Sequence, residues 1–148
     1  MIQIKQVSQS DQARWQELFK AYGEFYKVTL PQETIDTTWD WITSGDEDFW
    51  CAVARDEAGA IVGFTQYQFM HRSLGGSKVC YLSDLFVDPA IRSGGVGRAL
   101  IDYVIAQMAE RGVSNVRWLT AEDNLTARKL YDSYQPVSGF VLYSVPVG

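Results

Sequence analysis

The stretch LFVDPAIRSGGVGRALI, from Leu85 to Ile101, decides how the rest of this chain is interpreted. An apolar run typical of a strand ends at Pro89, and a glycine-rich loop separates it from a helical pattern. Glycines leave main-chain N–H groups accessible, and the first turn of a helix offers unpaired N–H donors and a positive dipole end. The stretch therefore predicts a phosphate-binding loop, with a plain turn as the alternative.

The spacing of the loop narrows the kind of phosphate site. Arg92, Gly95 and Gly97 follow the pattern R-x-x-G-x-G, and Gly94 adds another bare position. A P-loop would end its glycine run with Lys-Ser or Lys-Thr, and this loop does not. The dinucleotide fingerprint G-x-G-x-x-G requires a third small residue, where this chain has Leu100. A nucleotide-binding oxidoreductase is therefore the weaker alternative.

The order of predicted elements indicates one domain. The chain has 148 residues, 47% hydrophobic and 21% charged, as is typical of a globular protein. Strand and helix signals alternate in the order β-α-α-β-β-β-α-β-α-β, and the last strand is GFVLYSV, residues 139–145. No linker or repeat interrupts them. We predict a single domain, residues 1–148, of the α/β (α+β) class, with a mixed, mostly antiparallel sheet flanked by helices.

Charge and cysteine usage limit the partners. Residues 1–74 contain eleven Asp and Glu against six Lys and Arg, whereas residues 75–148 contain seven of each. An acidic surface disfavours a nucleic-acid partner, and no apolar run reaches the roughly 18 residues that a membrane helix needs. One histidine and two cysteines have no metal-ligand spacing, so no metal is expected. The absence of a signal-like segment and of a disulfide framework predicts a cytoplasmic protein.

The loop together with NLTARKLY, residues 124–131, resembles the GCN5-related N-acetyltransferase (GNAT) family. The segments CYLSDLFVDP and FVLY are similar to those of its histone- and polyamine-acetyltransferase branch. The resemblance implies the GNAT fold and direct transfer of acetyl from acetyl-coenzyme A to a primary amine in a ternary complex. The implied acceptor is a small cationic amine or a lysine-like side chain, and the branch implies a homo-oligomer, a dimer in the first instance.

The resemblance also implies which residues hold the coenzyme. The end of the fourth strand would present backbone groups to the pantetheine arm, and the loop would hold the pyrophosphate. These residues are Leu85, Phe86, Val87, Arg92, Ser93, Gly94, Gly95, Val96, Gly97 and Arg98. Asn124 would contact the pantetheine or cap its helix. Tyr131 matches the tyrosine beside the coenzyme sulfur, where it would protonate the departing thiolate as general acid.

The general base is left open by the sequence. An acceptor ammonium must lose a proton before it can attack, and members of the diamine-type branch of the family often have Glu where this chain has Ser83. Asp84 is the neighbouring carboxylate, but strand alternation predicts that it points away from the face of Ser83. A water relay at Ser83, Asp84 itself, a structural role for Asp84, and an acid such as Glu24 are the alternatives.

Two other mechanisms follow from the same residues. Without a Glu at Ser83, the chain could bind an acyl-coenzyme as a sensor and transfer nothing. An acyl-cysteine route would need Cys51 or Cys80, and both lie in apolar strands, where buried, unreactive thiols are usual. Direct transfer is therefore the favoured mechanism.

Overall fold

A five-stranded sheet forms the centre of the first of two units, residues 1–118 and 119–148, in the computed structural model, which describes residues 1–91 and 94–148. Its strands are β1 (Gln3–Gln6), β2 (Phe49–Arg55), β3 (Ile61–Arg72), β4 (Ser77–Val87) and β5 (Val116–Arg117). They lie in sequence order, antiparallel from β1 to β4 and parallel between β4 and β5. The mixed, mostly antiparallel sheet is therefore confirmed.

Helices cover both faces of this sheet. The helices are α1 (Gln12–Phe25), α2 (Gln32–Thr43) and α3 (Val96–Glu110) in the first unit, and α4 (Leu125–Asp132) in the second. Helices α1 and α2 pack on one face around Trp15 and Phe64, whereas Val96 and Leu100 of α3 pack on the other face against Val62. Successive strand residues therefore supply two different cores, as expected from strand alternation. None of the described helices is long and apolar enough to cross a membrane.

The last predicted strand is the exception to the expected order. Within the described residues, 139–145 form no strand, although the segment alternates as a strand would. Alternation shows that a segment suits a sheet, but a strand forms only where another strand accepts its backbone hydrogen bonds. The large apolar side chains of residues 140–147 are 71% to 98% exposed. The segment therefore has the composition of a strand without a partner strand.

The start of α1 is fastened to the sheet by a buried carboxylate. Asp11 is 8% exposed, accepts a hydrogen bond from the Ser8 N–H (2.9 Å) and pairs with Arg55 Nη2 on β2 (2.7 Å). Burial alone would raise the pKa of Asp11, but hydrogen bonds from Arg55 and Ser8 outweigh it and lower the pKa below its ordinary value of 3.8.

We expect Asp11→Asn to destabilise the protein by about 2 kcal/mol at pH 7 because a charged hydrogen-bond partner of Arg55 is lost. A carboxyl group whose folded pKa is depressed stabilises the fold above its unfolded pKa, and this contribution disappears as the pH falls through the folded pKa. Urea unfolding from pH 7 to pH 3 should therefore show the gap between wild type and variant closing below about pH 4. A gap that stays constant over this range would contradict the assignment.

Candidate active site

The glycine loop opens directly onto the N-terminus of α3. Gly94 and Gly95 have φ values of 123° and 70°, and Gly95 is the residue that caps the helix. A Cβ added at either position would meet nothing within 4 Å, so the protein itself does not require bare glycine there for packing. The first bond of the helix runs from the Ala99 N–H to the Gly95 carbonyl (2.9 Å). The helix therefore begins at Gly95, and a helix N-terminus offers the N–H donors of its first turn to an anion.

Two members of the predicted loop, Arg92 and Ser93, lie outside the described residues. The beginning of the loop is fixed by Asp88, which directly follows β4. Its carboxylate accepts hydrogen bonds from the Ala90 N–H (2.9 Å) and from Arg14 Nη2 of α1 (2.7 Å). These two bonds lower the pKa of Asp88, so the turn is tied to α1 by an ionised carboxylate at neutral pH.

The helix that follows the loop sits close against the sheet at Gly63. A Cβ at Gly63 would lie 2.9 Å from the Phe86 carbonyl and 3.4 Å from Leu100 Cδ1. A dinucleotide fingerprint places its third glycine on the helix for close packing, whereas this chain has a buried Leu100 there and the glycine on β3. The arrangement therefore speaks against the dinucleotide alternative.

Beside the loop, β4 has one backbone edge that β5 does not cover. The two strands pair only at Cys80 with Val116 and at Tyr81 with Arg117. From Leu82 onwards, β5 therefore forms no backbone pairs with this edge of β4. Leu85 and Val87 pack with the α3 core, whereas Phe86 belongs to the α1 and α2 core. The predicted pantetheine-binding segment, residues 85–87, is thus part of this edge.

A bulge in β4 brings Ser83 and Asp84 together. Gln66 of β3 is paired with Asp84, and Tyr67 with Leu82, so Ser83 is an extra residue in β4. Ser83 Oγ lies 3.2 Å from Asp84 Oδ2 and 3.1 Å from the Gln66 carbonyl. The prediction that the two side chains point to opposite faces is therefore wrong, because a bulge breaks the two-residue period on which it depended.

The Asp84 carboxylate is surrounded by donors from the α1 side of the sheet. Gln66 Nε2 donates to Asp84 Oδ2 (2.7 Å), and the Trp15 indole donates to Gln66 Oε1 (2.8 Å). Burial, and then the negative charge of Asp84, raise the pKa of the Tyr22 hydroxyl on α1 well above the ordinary range. Sequence reasoning missed this network, although a lone amide in the apolar segment IVGFTQY was a signal.

The second unit contains the other two predicted site residues. Asn124 is the residue before α4, as expected for a cap, but its side chain donates to Thr120 Oγ1 (3.2 Å) instead of capping the helix. The helix is instead begun by its backbone, as the Arg128 N–H donates to the Asn124 carbonyl (3.0 Å). Tyr131 lies in the last turn of α4 and is partly buried.

The cysteines and the histidine lie in surroundings that do not favour a catalytic role. Burial, followed by the negative charges of Asp84 and Asp11, raises the pKa of Cys51, and burial raises the pKa of Cys80 to about 11. Both thiols are therefore protonated at neutral pH, which disfavours an acyl-cysteine intermediate. His71 lies exposed at the end of β3. Among the described residues, no three His, Cys, Asp or Glu side chains are grouped to hold a metal ion.

Comparison with known proteins identifies the family. The profile of the acetyltransferase (GNAT) family matches residues 15–134. The D-amino-acid N-acetyltransferase HPA3 of Saccharomyces cerevisiae is 34% identical over 96% of this chain and 89% of its own length. The thialysine N-epsilon-acetyltransferase of Mus musculus is 25% identical over 86% of this chain and 79% of its own. The crystal structure of a probable acetyltransferase superposes with a TM-score of 0.85 at 24% identity, covering 99% of this chain and 98% of the other. The chain therefore belongs to the GNAT family of acetyltransferases and is an N-acetyltransferase.

Proposed function

We propose that this enzyme transfers acetyl from acetyl-coenzyme A directly to a primary amine, with Asp84 as general base and Tyr131 as general acid. The observation that carries the proposal is the bulge in β4. It places the Ser83 hydroxyl beside the Asp84 carboxylate, which lies on the same face as Phe86, covered by α1 and α2, and next to the backbone edge assigned to the coenzyme. Residues 1–148 act as one catalytic domain in this proposal.

The coenzyme is held by the loop and by the edge of β4. The N–H groups at the start of α3, with Arg92, Ser93 and Arg98, hold the pyrophosphate through charge-assisted hydrogen bonds. The backbone of residues 85–87 binds the pantetheine arm and stabilises the oxyanion that forms on the thioester carbonyl. Asn124 contacts the pantetheine. This role is supported by a side chain that does not cap α4.

In the proposed reaction, the two protons that the acceptor nitrogen loses go to Asp84 and to Tyr131. Asp84 accepts a proton from the acceptor ammonium, and the free amine attacks the thioester carbonyl to form a tetrahedral intermediate. The C–S bond then breaks as Tyr131 protonates the departing thiolate, and the second nitrogen proton restores Tyr131. The products are an amide and free coenzyme A thiol, and one proton leaves through Asp84. The Ser83 hydroxyl hydrogen-bonds either to this carboxylate or to a water molecule beside it.

Calorimetric titration tests the coenzyme assignment. Acetyl-coenzyme A should bind with a micromolar Kd, about −8 kcal/mol, and NAD should give no response. Gly95→Val should weaken this binding roughly tenfold or more, because a branched side chain would be strained at positive φ and would fill the anion site.

The matched control is Gly59→Val in the turn between β2 and β3. Gly59 also has a positive φ, 83°, and open space around its Cβ position. It should carry the same backbone strain and keep the coenzyme affinity. Binding of NAD in place of acetyl-coenzyme A, or equal affinities for the two glycine variants, would overturn the assignment.

The acceptor in this proposal is a small cationic amine or a lysine-like side chain. Asp84 on the α1 and α2 face supplies negative charge where an ammonium would bind, and the first half of the chain has a net charge of −5. The names of the two curated relatives above, which describe acetylation of amino-acid amines, are consistent with it. Thiol release above background with polyamines, lysine, thialysine or D-amino acids would select the acceptor and would exclude a non-catalytic sensor.

We also propose that the enzyme is a cytoplasmic homodimer in which residues 139–147 pair with the same segment of a second copy. The dimer is supported by a strand-like segment whose large apolar side chains are 71% to 98% exposed. The cytoplasmic location is supported by two free thiols, Cys51 and Cys80, which are typical of a reducing compartment. Light scattering should give the mass of a dimer, and Phe140→Ser with Leu142→Ser should give a monomer. A monomeric wild-type protein at micromolar concentration would overturn the proposal.

A further inference from the structure

A buried amide lies between a tryptophan and the Asp84 carboxylate. An indole N–H can only donate, so Trp15 Nε1 must face the oxygen of the Gln66 amide, at 2.8 Å. This fixes the orientation of the amide and directs Nε2 to Asp84 Oδ2, at 2.7 Å. An amide turned the other way would place its oxygen against the carboxylate and its NH₂ group against the indole N–H. Trp15 therefore determines that the NH₂ group of Gln66, and not its oxygen, faces Asp84.

Trp15 and Gln66 are buried away from water, so water does not compete for the hydrogen bonds between them. Trp15 and Gln66 are both 0% exposed, and the side chain of Gln66 lies on the same face as Phe64 in an otherwise apolar core. A buried amide is costly unless its groups are bonded, and an apolar side chain would suit this core without that cost. The hydrogen bonds of Gln66 are therefore best explained by what they do to Asp84.

We propose that Trp15 and Gln66 are positioning residues that hold Asp84 in place as a proton acceptor, an inference that rests on the proposed role of Asp84 as base. Gln66 Nε2 of β3 donates to Asp84 Oδ2 at 2.7 Å, and the Ser83 hydroxyl lies 3.2 Å from the same oxygen. The backbone of the bulge is held as well, because Thr65 Oγ1 donates to the Asp84 carbonyl (2.8 Å). These bonds hold the carboxylate in one orientation, as a positioned proton acceptor requires.

Among the residues that the structure describes, three other titratable groups lie around Asp84. They are Tyr22 from α1, Cys51 from β2 and Tyr81 from β4. Burial first, and then the negative charge of Asp84, raises the pKa of each of them. They are therefore protonated throughout the neutral range and do not compete with the carboxylate as proton acceptors.

The test compares Trp15→Phe and Gln66→Met with Trp39→Phe. Trp39 packs against Trp15 in the same cluster, with ring centroids 4.9 Å apart and ring planes tilted by 42°, so its replacement removes the same atoms from the same core. Trp15→Phe and Gln66→Met should lower kcat/KM for the amine roughly tenfold, because a hydrogen bond that acts on a charged group is lost or misdirected. The loss should appear in kcat at saturating amine, and the Kd for acetyl-coenzyme A should be unchanged. Trp39→Phe should lower the Tm and leave kcat unchanged.

The outcomes separate this inference from the proposed function. If Asp84→Asn is impaired while Trp15→Phe and Gln66→Met keep the same kcat as Trp39→Phe, the positioning role is wrong and the base stands. If Asp84→Asn keeps full activity, the base is wrong and this inference fails with it. Adding Trp15→Phe to Asp84→Asn should cause no further loss. Should Trp15→Phe fail to fold, Gln66→Met, which keeps the indole and removes only the amide, provides the comparison.

Discussion

Asp84→Asn is expected to lower kcat roughly 100-fold or more with the best amine acceptor, because an amide cannot take the ammonium proton. Asn is nearly isosteric with Asp and can still accept through its oxygen from Gln66, so the bulge and its backbone bonds should persist. The acetyl-coenzyme A affinity measured by calorimetry should therefore remain that of the wild type. The measurement is steady-state thiol release over a range of pH.

Two variants test whether a residue other than Asp84 acts as the general base. Glu24→Gln removes the alternative carboxylate on α1, which lies on the exposed side of the helix, and should leave kcat unchanged. Ser83→Ala removes the hydroxyl that lies 3.2 Å from Asp84 Oδ2 and should have a smaller effect than Asp84→Asn. A full rate for Asp84→Asn together with a large loss for Glu24→Gln would transfer the role to α1.

The sequence was sufficient for the features that depend on local pattern. The glycine loop, the order of elements through α4 and the placement of α3 after the loop follow from glycine spacing and hydrophobic periodicity. Apolar residues at helical spacing also form a stripe along α1, in which Trp15 and Leu18 are buried, whereas Phe25 and Tyr26 at its end are 61% and 47% exposed. The stripe stops there because the helix ends at Phe25 and Lys27 adopts a positive φ of 61°.

The features that sequence reasoning missed depend on pairing between distant segments. The bulge at Ser83 is a property of the register between β3 and β4, and no count along β4 alone contains it. The Gln66 to Asp84 bond spans 18 residues and depends on that register. The last strand, residues 139–145, failed for the same reason: its alternation is local, but its hydrogen-bond partner is not.

These differences change the chemistry assigned to the site. With regular alternation, Ser83 would lie on the opposite face from Asp84 and could not share a hydrogen bond with its carboxylate. With the bulge, the hydroxyl and the carboxylate form one hydrogen-bonded group on the face of α1. In the proposed mechanism, the carboxylate of Asp84 takes the place of the Glu that is absent at position 83.

Tyr131→Phe is expected to lower kcat roughly 100-fold or more, because the thiolate would then leave without a proton from the enzyme. Removal of one hydroxyl leaves the ring in place, so α4 should stay folded and the affinity for acetyl-coenzyme A should change little. The loss should appear in kcat at saturating amine, since the acid acts in the breakdown of the intermediate and not in acceptor binding.

Tyr134→Phe is the matched control, since Tyr134 lies three residues after Tyr131 and is also partly buried. It should keep the wild-type kcat if the loss in Tyr131→Phe comes from proton transfer and not from the local fold. Equal losses in the two variants would indicate a structural role for both hydroxyls. An unchanged kcat for Tyr131→Phe would leave the thiolate to be protonated by water and would remove the general acid from this mechanism.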